Sequence, residues 1–239
     1  MTRFDRVSLG KTAKELGFVR DTLEKVRRLA DVLKFMEEDE VLSECLALKG
    51  GTAINLTIFN LPRLSVDIDM DYSKNTGREE MLQDREDVTT RISKYMSANG
   101  YLLSQKSKNY HALDSFVYEY VNAGGGKDNL KIEINYMLRC HVFPIARRNV
   151  ELPWNNDELT VLSVDPLEIF SSKTIALLNR TAPRDLYDIH NMVRYGLFDK
   201  EEQNMLRKCA VYYSAVGSET PPEKFNLANI GNLASVVIM

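Results

Sequence analysis

Apolar positions recur along this chain with a helical period in some stretches and a strand period in others, and the switches outline its elements. Over 21–37, Val26, Leu29, Val32, Leu33 and Met36 fall every three or four residues. Asp21 is placed to cap and Glu24 sits three positions later, so the pattern predicts an amphipathic helix. The run Cys45-Leu46-Ala47-Leu48 predicts a short buried strand over 44–49, ending at Gly50-Gly51. Thr52 to about Phe59 then has the length and pattern of a short helix, stopped by Pro62. Ser65 to Tyr72 alternates apolar and polar residues as a strand does. A helix is predicted over 78–98, with Met81, Val88, Ile92, Tyr95 and Met96 on its apolar side. Strands follow at 101–105, 115–121 and 129–136. The last two are joined by Ala123-Gly124-Gly125-Gly126-Lys127-Asp128, a hairpin connection of the longer kind.

Between Pro144 and Pro153 the pattern turns irregular, basic and then acidic, and reads as a linker. Asp165-Pro166-Leu167-Glu168 is a capping pattern with Pro at the first helical position, starting a helix to about Arg180. Pro183 opens another over 184–195, and a third covers about 200–215. The stretch 217–239 is interrupted by Gly and Pro and gives no element. Strands confined to 44–136 and helices after 165 predict an α+β fold. A sheet-bearing domain with N-terminal helices would occupy 1–150 and an all-helical domain 151–239.

Composition narrows the class. The 239 residues carry 44% apolar and 27% charged side chains, ordinary for a soluble globular protein with a full core. A net charge of −3 means that any nucleic-acid contact has to come from a local patch. Cys45, Cys140 and Cys209 are odd in number and lack CxxC spacing, which favours a reducing compartment over a disulfide framework or zinc site. With neither an 18-residue apolar run nor an apolar segment behind the N-terminal charges, the expectation is a cytoplasmic protein with no membrane partner.

The chemistry concentrates in a few places. A double glycine lets backbone N–H groups approach a phosphate with no Cβ in the way. Fifteen residues after Thr52 comes Asp67-Ile68-Asp69-Met70-Asp71, whose carboxylates share one strand face and repel unless a cation neutralises them. Two hard carboxylates one strand repeat apart suit Mg²⁺ that also holds nucleotide phosphates. The competing reading is a solvent-facing acidic strand, and Asp71, furthest along, is the acid least required. Glu133 lies on the polar face of 129–136 with Lys131 and Asn135, either as a third metal-side carboxylate or base or as part of a solvated face. Arg63 either contacts phosphate, pairs with Asp67 or is a surface residue, and Ser65, on the strand face of Asp67, either touches a metal-bound phosphate or is a strand-edge serine. Lys173 and Arg180, seven residues apart on one helix, either are two solvated basic residues or suit triphosphate oxygens as a compact charge and a fork. Asp185 and Asp188 open the next helix, where an acid is either functional or favoured by the helix dipole. His111, His141 and His190 form no paired metal motif, and GxSxG, Walker A and GxGxxG are lacking, which removes triad-hydrolase, P-loop and Rossmann readings. Lys106, Lys108, Arg139, Arg147 and Arg148 either gather into an RNA-facing patch or are dispersed over the surface.

Leu48-Lys49-Gly50-Gly51-Thr52-Ala53 and Arg63-Leu64-Ser65-Val66-Asp67-Ile68-Asp69 resemble the signature of the polymerase-β-like nucleotidyltransferases, and within them the AbiEii toxin group. Lys173-Thr174-Ile175-Ala176-Leu177-Leu178-Asn179-Arg180 and Arg184-Asp185-Leu186-Tyr187-Asp188 follow in the right order, so the resemblance spans roughly residues 20–195. It implies a nucleotidyltransferase-like mixed-sheet lobe carrying the metal carboxylates and a helical C-terminal lobe closing a nucleotide cleft. It also implies transfer of a nucleotidyl group from an NTP, dependent on Mg²⁺ or Mn²⁺, in several members to the 3′ end of tRNA. Such proteins are the toxin half of a two-gene system restrained by a cognate antitoxin. By position, Gly51 and Thr52 would bind phosphate, Asp67 and Asp69 the metal, and Lys173 the triphosphate, with Asp185 a further catalytic acid. Glu133 is placed by strand pattern more than by motif. The alternatives are an inactive fold that binds RNA or a partner protein, and a transferase acting on a protein or small molecule.

Overall fold

The computed structural model describes residues 5–59, 63–152, 154 and 158–217. The chain falls into two compact units, Met1–His141 with Ile145–Ser163, and Val142–Pro144 with Val164–Met239. In the first, α1 (Arg6–Leu16), α2 (Arg20–Glu38) and α3 (Leu42–Cys45) precede β1 (Leu46–Lys49), α4 (Gly50–Ala53) and β2 (Asp67–Tyr72). Then come α5 (Arg78–Ala98), β3 (Leu102–Leu103), β4 (Lys108–Asn109), β5 (Leu113–Val121), β6 (Lys127–Asn135), β7 (Ala146–Val150) and β8 (Leu159–Ser163). The strands form one mixed sheet in the order β3-β5-β6-β2-β1-β8-β7, with β4 also beside β5. β2 is antiparallel to β1 and parallel to β6.

This placement of β2 sorts its side chains. Ile68, Met70, Ile132 and Ile134 are buried on one face, while Asp67, Asp69, Lys131 and Glu133 stay half-exposed on the other. A slip of one residue would exchange the two sets, so apolar burial fixes where the acids point. Helix α2 contacts β6 and β8 through a stripe that includes Val26, Leu29, Leu33 and Met36, all buried. Within α2 the buried Glu24 accepts from Arg28 Nε at 2.9 Å and from the backbone N–H of Ala123 at 2.8 Å. The Arg28 guanidinium stacks 4.2 Å over Tyr120, so α2 is fastened to the β5–β6 hairpin. On α5, Met81, Val88, Ile92 and Met96 are buried, and Tyr95 stacks on Phe35 at 3.9 Å.

Some expectations change. Helix α2 begins at Arg20 with Val19 in the capping position, so Asp21 is not its cap. Asp21 sits in the first turn, where the dipole favours it, and accepts from Arg20 Nε at 2.7 Å. The expected linker over 144–153 contains β7, an edge strand, and β8 follows it next to β1. The division between units therefore falls after Ser163, not after residue 150. The strand expected at 101–105 is reduced to Leu102–Leu103, and α1, α3 and β4 were not anticipated. The helix expected from Thr52 starts at Gly50 and continues through a π-helical stretch over Ile54–Ile58. Pro62 and residues 218–239 lie outside the described residues.

The second unit contains α6 (Pro166–Arg180), α7 (Pro183–Arg194) and α8 (Lys200–Val216). Asp165 caps α6 by accepting from Leu167 N at 2.9 Å, with Pro166 at the first position. Helix α6 packs on α7 and α8, and Phe170 meets Phe198 edge-on at 5.8 Å. Glu168, buried in α6, accepts from Tyr213 Oη at 2.6 Å and from the N–H groups of Val142 and Phe143 at 3.0 and 3.1 Å. That carboxylate explains why 142–144 belongs to this unit. No helix of the described residues is long and apolar enough to cross a membrane.

Candidate active site

Strand β1 delivers the chain into Gly50, whose φ of +69° is the left-handed conformation from which α4 begins. A Cβ there would lie 2.6 Å from Asp69 Oδ2 and 3.2 Å from Asp69 Cβ, so the glycine supplies both backbone freedom and room. Gly51 supplies room alone: its Cβ would meet Arg63 Nη2 at 2.9 Å and Ser65 Oγ at 3.1 Å. The fold thus brings Gly50, Gly51, Arg63, Ser65 and Asp69 together. Thr52 is fully buried, and its hydroxyl donates to the backbone carbonyl of Asp67, tying the turn to the first acid of β2. Asn55, also fully buried, donates from Nδ2 to the Gly51 carbonyl at 2.5 Å. Its role was not visible in the sequence, although an amide four residues after a glycine turn is the pattern of a helix-borne prop.

Across the sheet, Lys49, Asp69 and Glu133 stand in one row, with Asp67 opposite Lys131. Lys49 Nζ makes an ion pair with Asp71, the third acid, which is 4% exposed. Asp71 is therefore neutralised from within the fold. Lys131 Nζ lies 2.9 Å from Glu133, which gives Glu133 a basic neighbour of its own. Among the described residues no three His, Cys, Asp or Glu side chains gather into a metal cage. Mg²⁺ is commonly held through one or two carboxylates together with substrate phosphates and water, and the hard-oxygen pair Asp67 and Asp69 beside a glycine turn fits that demand. A cavity of about 700 Å³ opens on the same face, lined by Lys49, Asp69, Glu133, Tyr110, His111 and Met137 among others.

In the second unit, α6 and α7 build a buried charge cluster. Asp185 is fully buried and receives Arg180 as a fork, Nε to Oδ2 at 2.7 Å and Nη2 to Oδ1 at 3.0 Å. Lys173 Nζ reaches Asp185 Oδ1 at 3.1 Å and Asp188 Oδ2 at 3.3 Å. Burial by itself pushes the Asp185 carboxyl up, but Arg180 and Lys173 outweigh it and hold it below the usual carboxylate range. Lys173, 8% exposed, is thus gripped between two carboxylates, and Asp188 is part of the arrangement. The five basic residues do not form one patch. Arg147 and Arg148 lie on β7 at one edge of the sheet, with Arg147 paired to Glu37, while Lys108 is on β4 at the other edge.

The mixed sheet with its flanking helices is a fold found in solved nucleotidyltransferases. The solved structure of MenT4, a nucleotidyltransferase toxin of Mycobacterium tuberculosis H37Rv, superposes with a TM-score of 0.68 at 15% identity, covering 95% of this chain and 76% of that one. A nucleotidyltransferase structure from H. pylori gives a TM-score of 0.48 at 18% identity over 88% of this chain and 92% of its own. No curated protein matches the sequence. The family described as nucleotidyl transferase AbiEii toxin, type IV toxin–antitoxin system, matches residues 34–238, and the chain belongs to it. Membership brings an NTP substrate and an antitoxin counterpart.

Proposed function

We propose that the chain is a Mg²⁺-dependent toxin that transfers a nucleotidyl group from an NTP to the 3′ end of a tRNA in the cytoplasm. The observation that carries this reading is the contact of Asp69 with the glycine turn, which sets cation-binding oxygen beside phosphate-binding backbone. Asp67 and Asp69 would hold Mg²⁺, or Mn²⁺ in its place, which when bound neutralises phosphate charge and polarises the transferred group. Gly50 and Gly51 leave the backbone N–H groups open to phosphate oxygens, and Arg63 and Ser65, against Gly51, supply further donors. Thr52 acts through its backbone and through its grip on Asp67. Glu133, opposite Asp69, is assigned to the metal side or to accepting the acceptor's proton. In the second unit, Lys173 and Arg180 are assigned to the triphosphate and Asp185 to catalysis, following the resemblance. The rate gain comes from positioning and from charge compensation. The tRNA acceptor rests on the family resemblance.

Incubation with each labelled NTP and total tRNA tests this. One nucleotide should label RNA, and Asp67→Ala should abolish labelling while shifting Tm by only a few degrees. Labelling by Asp67→Ala at the wild-type rate overturns the assignment.

A further inference from the structure

The cavity begins at Asp69 and Glu133, and only its far end has no part in the chemistry described so far. At about 700 Å³ it falls in the size range of small-molecule sites. It extends from Asp69 past Glu133 to the turn that joins β4 to β5, where Tyr110 and His111 form its wall. Both side chains are exposed, yet the backbone beneath them is fixed. Arg85 of α5 donates to the carbonyls of Tyr110 at 2.7 Å and His111 at 2.9 Å, while its Nε holds the fully buried Asp114 at 2.9 Å. Tyr110 N donates to Leu113 O at 2.8 Å, and Tyr136 N to Ala112 O at 2.8 Å. A turn held this firmly keeps both rings at the cavity wall, where a flat partner can stack on them. Lys106 and Lys108 lie just before the turn, exposed and without an ion pair among the described residues.

We propose that this cavity seats the terminal nucleoside of a single-stranded RNA acceptor, its base stacked on Tyr110 and His111. Lys106 and Lys108 meet the phosphates that lead to it, and Arg85 is the positioning residue that holds the wall. The lysines decide between the two nucleosides available to a transferase. A donor NTP carries its phosphates on the glycine side and has none beyond its base, whereas an RNA strand continues past the cavity. The identity of the RNA as acceptor rests on the transferase reading; its binding here does not.

Anisotropy of a fluorescent single-stranded RNA with a free 3′ hydroxyl, without NTP, reads the binding directly. Tyr110→Ala and the double variant Lys106→Ala/Lys108→Ala should each weaken it about tenfold, the size of one lost stacking contact or two lost phosphate contacts. In the transfer assay the same variants should raise KM for tRNA and leave KM for NTP within about twofold of wild type. Arg85→Ala should raise the same RNA constant, with partial recovery in Arg85→Lys. Unchanged RNA affinity overturns the proposal, as does a rise in KM for NTP alone, which gives the cavity to the donor base. If wild type never transfers a nucleotide but the binding losses persist, the transferase reading fails and this one stands.

Discussion

Asp69 Oδ2 stands 2.6 Å from the point where a Cβ on Gly50 would begin. The carboxylate and an ordinary side chain at position 50 therefore exclude each other. Alanine at 50 must also keep φ near +69°, which costs about 1–2 kcal/mol for an L-residue. Gly50→Ala should lower Tm by several degrees and lose far more turnover than that loss of stability explains, because Asp69 has to move. Gly51→Ala meets the side-chain ends of Arg63 and Ser65 and no left-handed backbone angle, so it should cost less Tm than Gly50→Ala while KM for NTP rises. Equal kinetic effects of the two substitutions would contradict this division.

Removing Lys49 leaves Asp71 almost wholly buried without its cation. With Lys49 partly exposed, the expected loss for Lys49→Ala is roughly 1–3 kcal/mol in urea unfolding. Adding Asp71→Asn should restore part of it, and a double-mutant cycle with no coupling rules the pair out as a stabilising contact.

The cluster around Asp185 predicts a pH dependence. A carboxyl held below its unfolded value of about 3.9 stabilises the fold above that pH, and the contribution disappears as pH falls through the folded value. The urea midpoint of the wild type should therefore drop between about pH 5 and pH 3, and that of Asp185→Asn should drop less steeply. Parallel curves would show that Arg180 and Lys173 do not stabilise the ionised form.

Glu24→Ala removes the carboxylate partner of the buried Arg28 and one of the ties between α2 and the β5–β6 hairpin. A loss of about 3–5 kcal/mol, the penalty for breaking a buried pair from one side, is expected in thermal or urea unfolding. Glu24→Gln, which keeps an acceptor for Ala123 N–H, should lose less.

What the sequence disclosed follows the range of the interaction that sets it. Asp67 and Asp69 were legible because alternation is local to one strand, and Asp165, Pro166 and Pro183 mark the starts of α6 and α7 for the same reason. Lys49 was not legible as the partner of Asp71. They are 22 residues apart and meet only because β1 runs antiparallel to β2. The place of Glu133 beside Asp69 likewise depends on the parallel pairing of β2 with β6. Arg147-Arg148-Asn149 lacks apolar alternation because β7 is an edge strand, so it passed for a linker. The pattern put Lys173 and Arg180 on one helix face, but it did not place Lys173 between Asp185 and Asp188, which needs the packing of α6 on α7.

Thr52 is sealed from solvent with its hydroxyl on the Asp67 carbonyl, and Gly50 is held by its backbone angle. Both are carpentry of the turn and are needed whether or not a nucleotide is ever bound. Asp67 and Asp69 present half-exposed carboxylates on the face where the metal is proposed. On the metal-binding role proposed for the two aspartates, a descendant that lost its activity would lose that demand on them while still needing the glycine and the threonine. On that role, retention of the first half of the signature reports ancestry, and the second half reports a working enzyme.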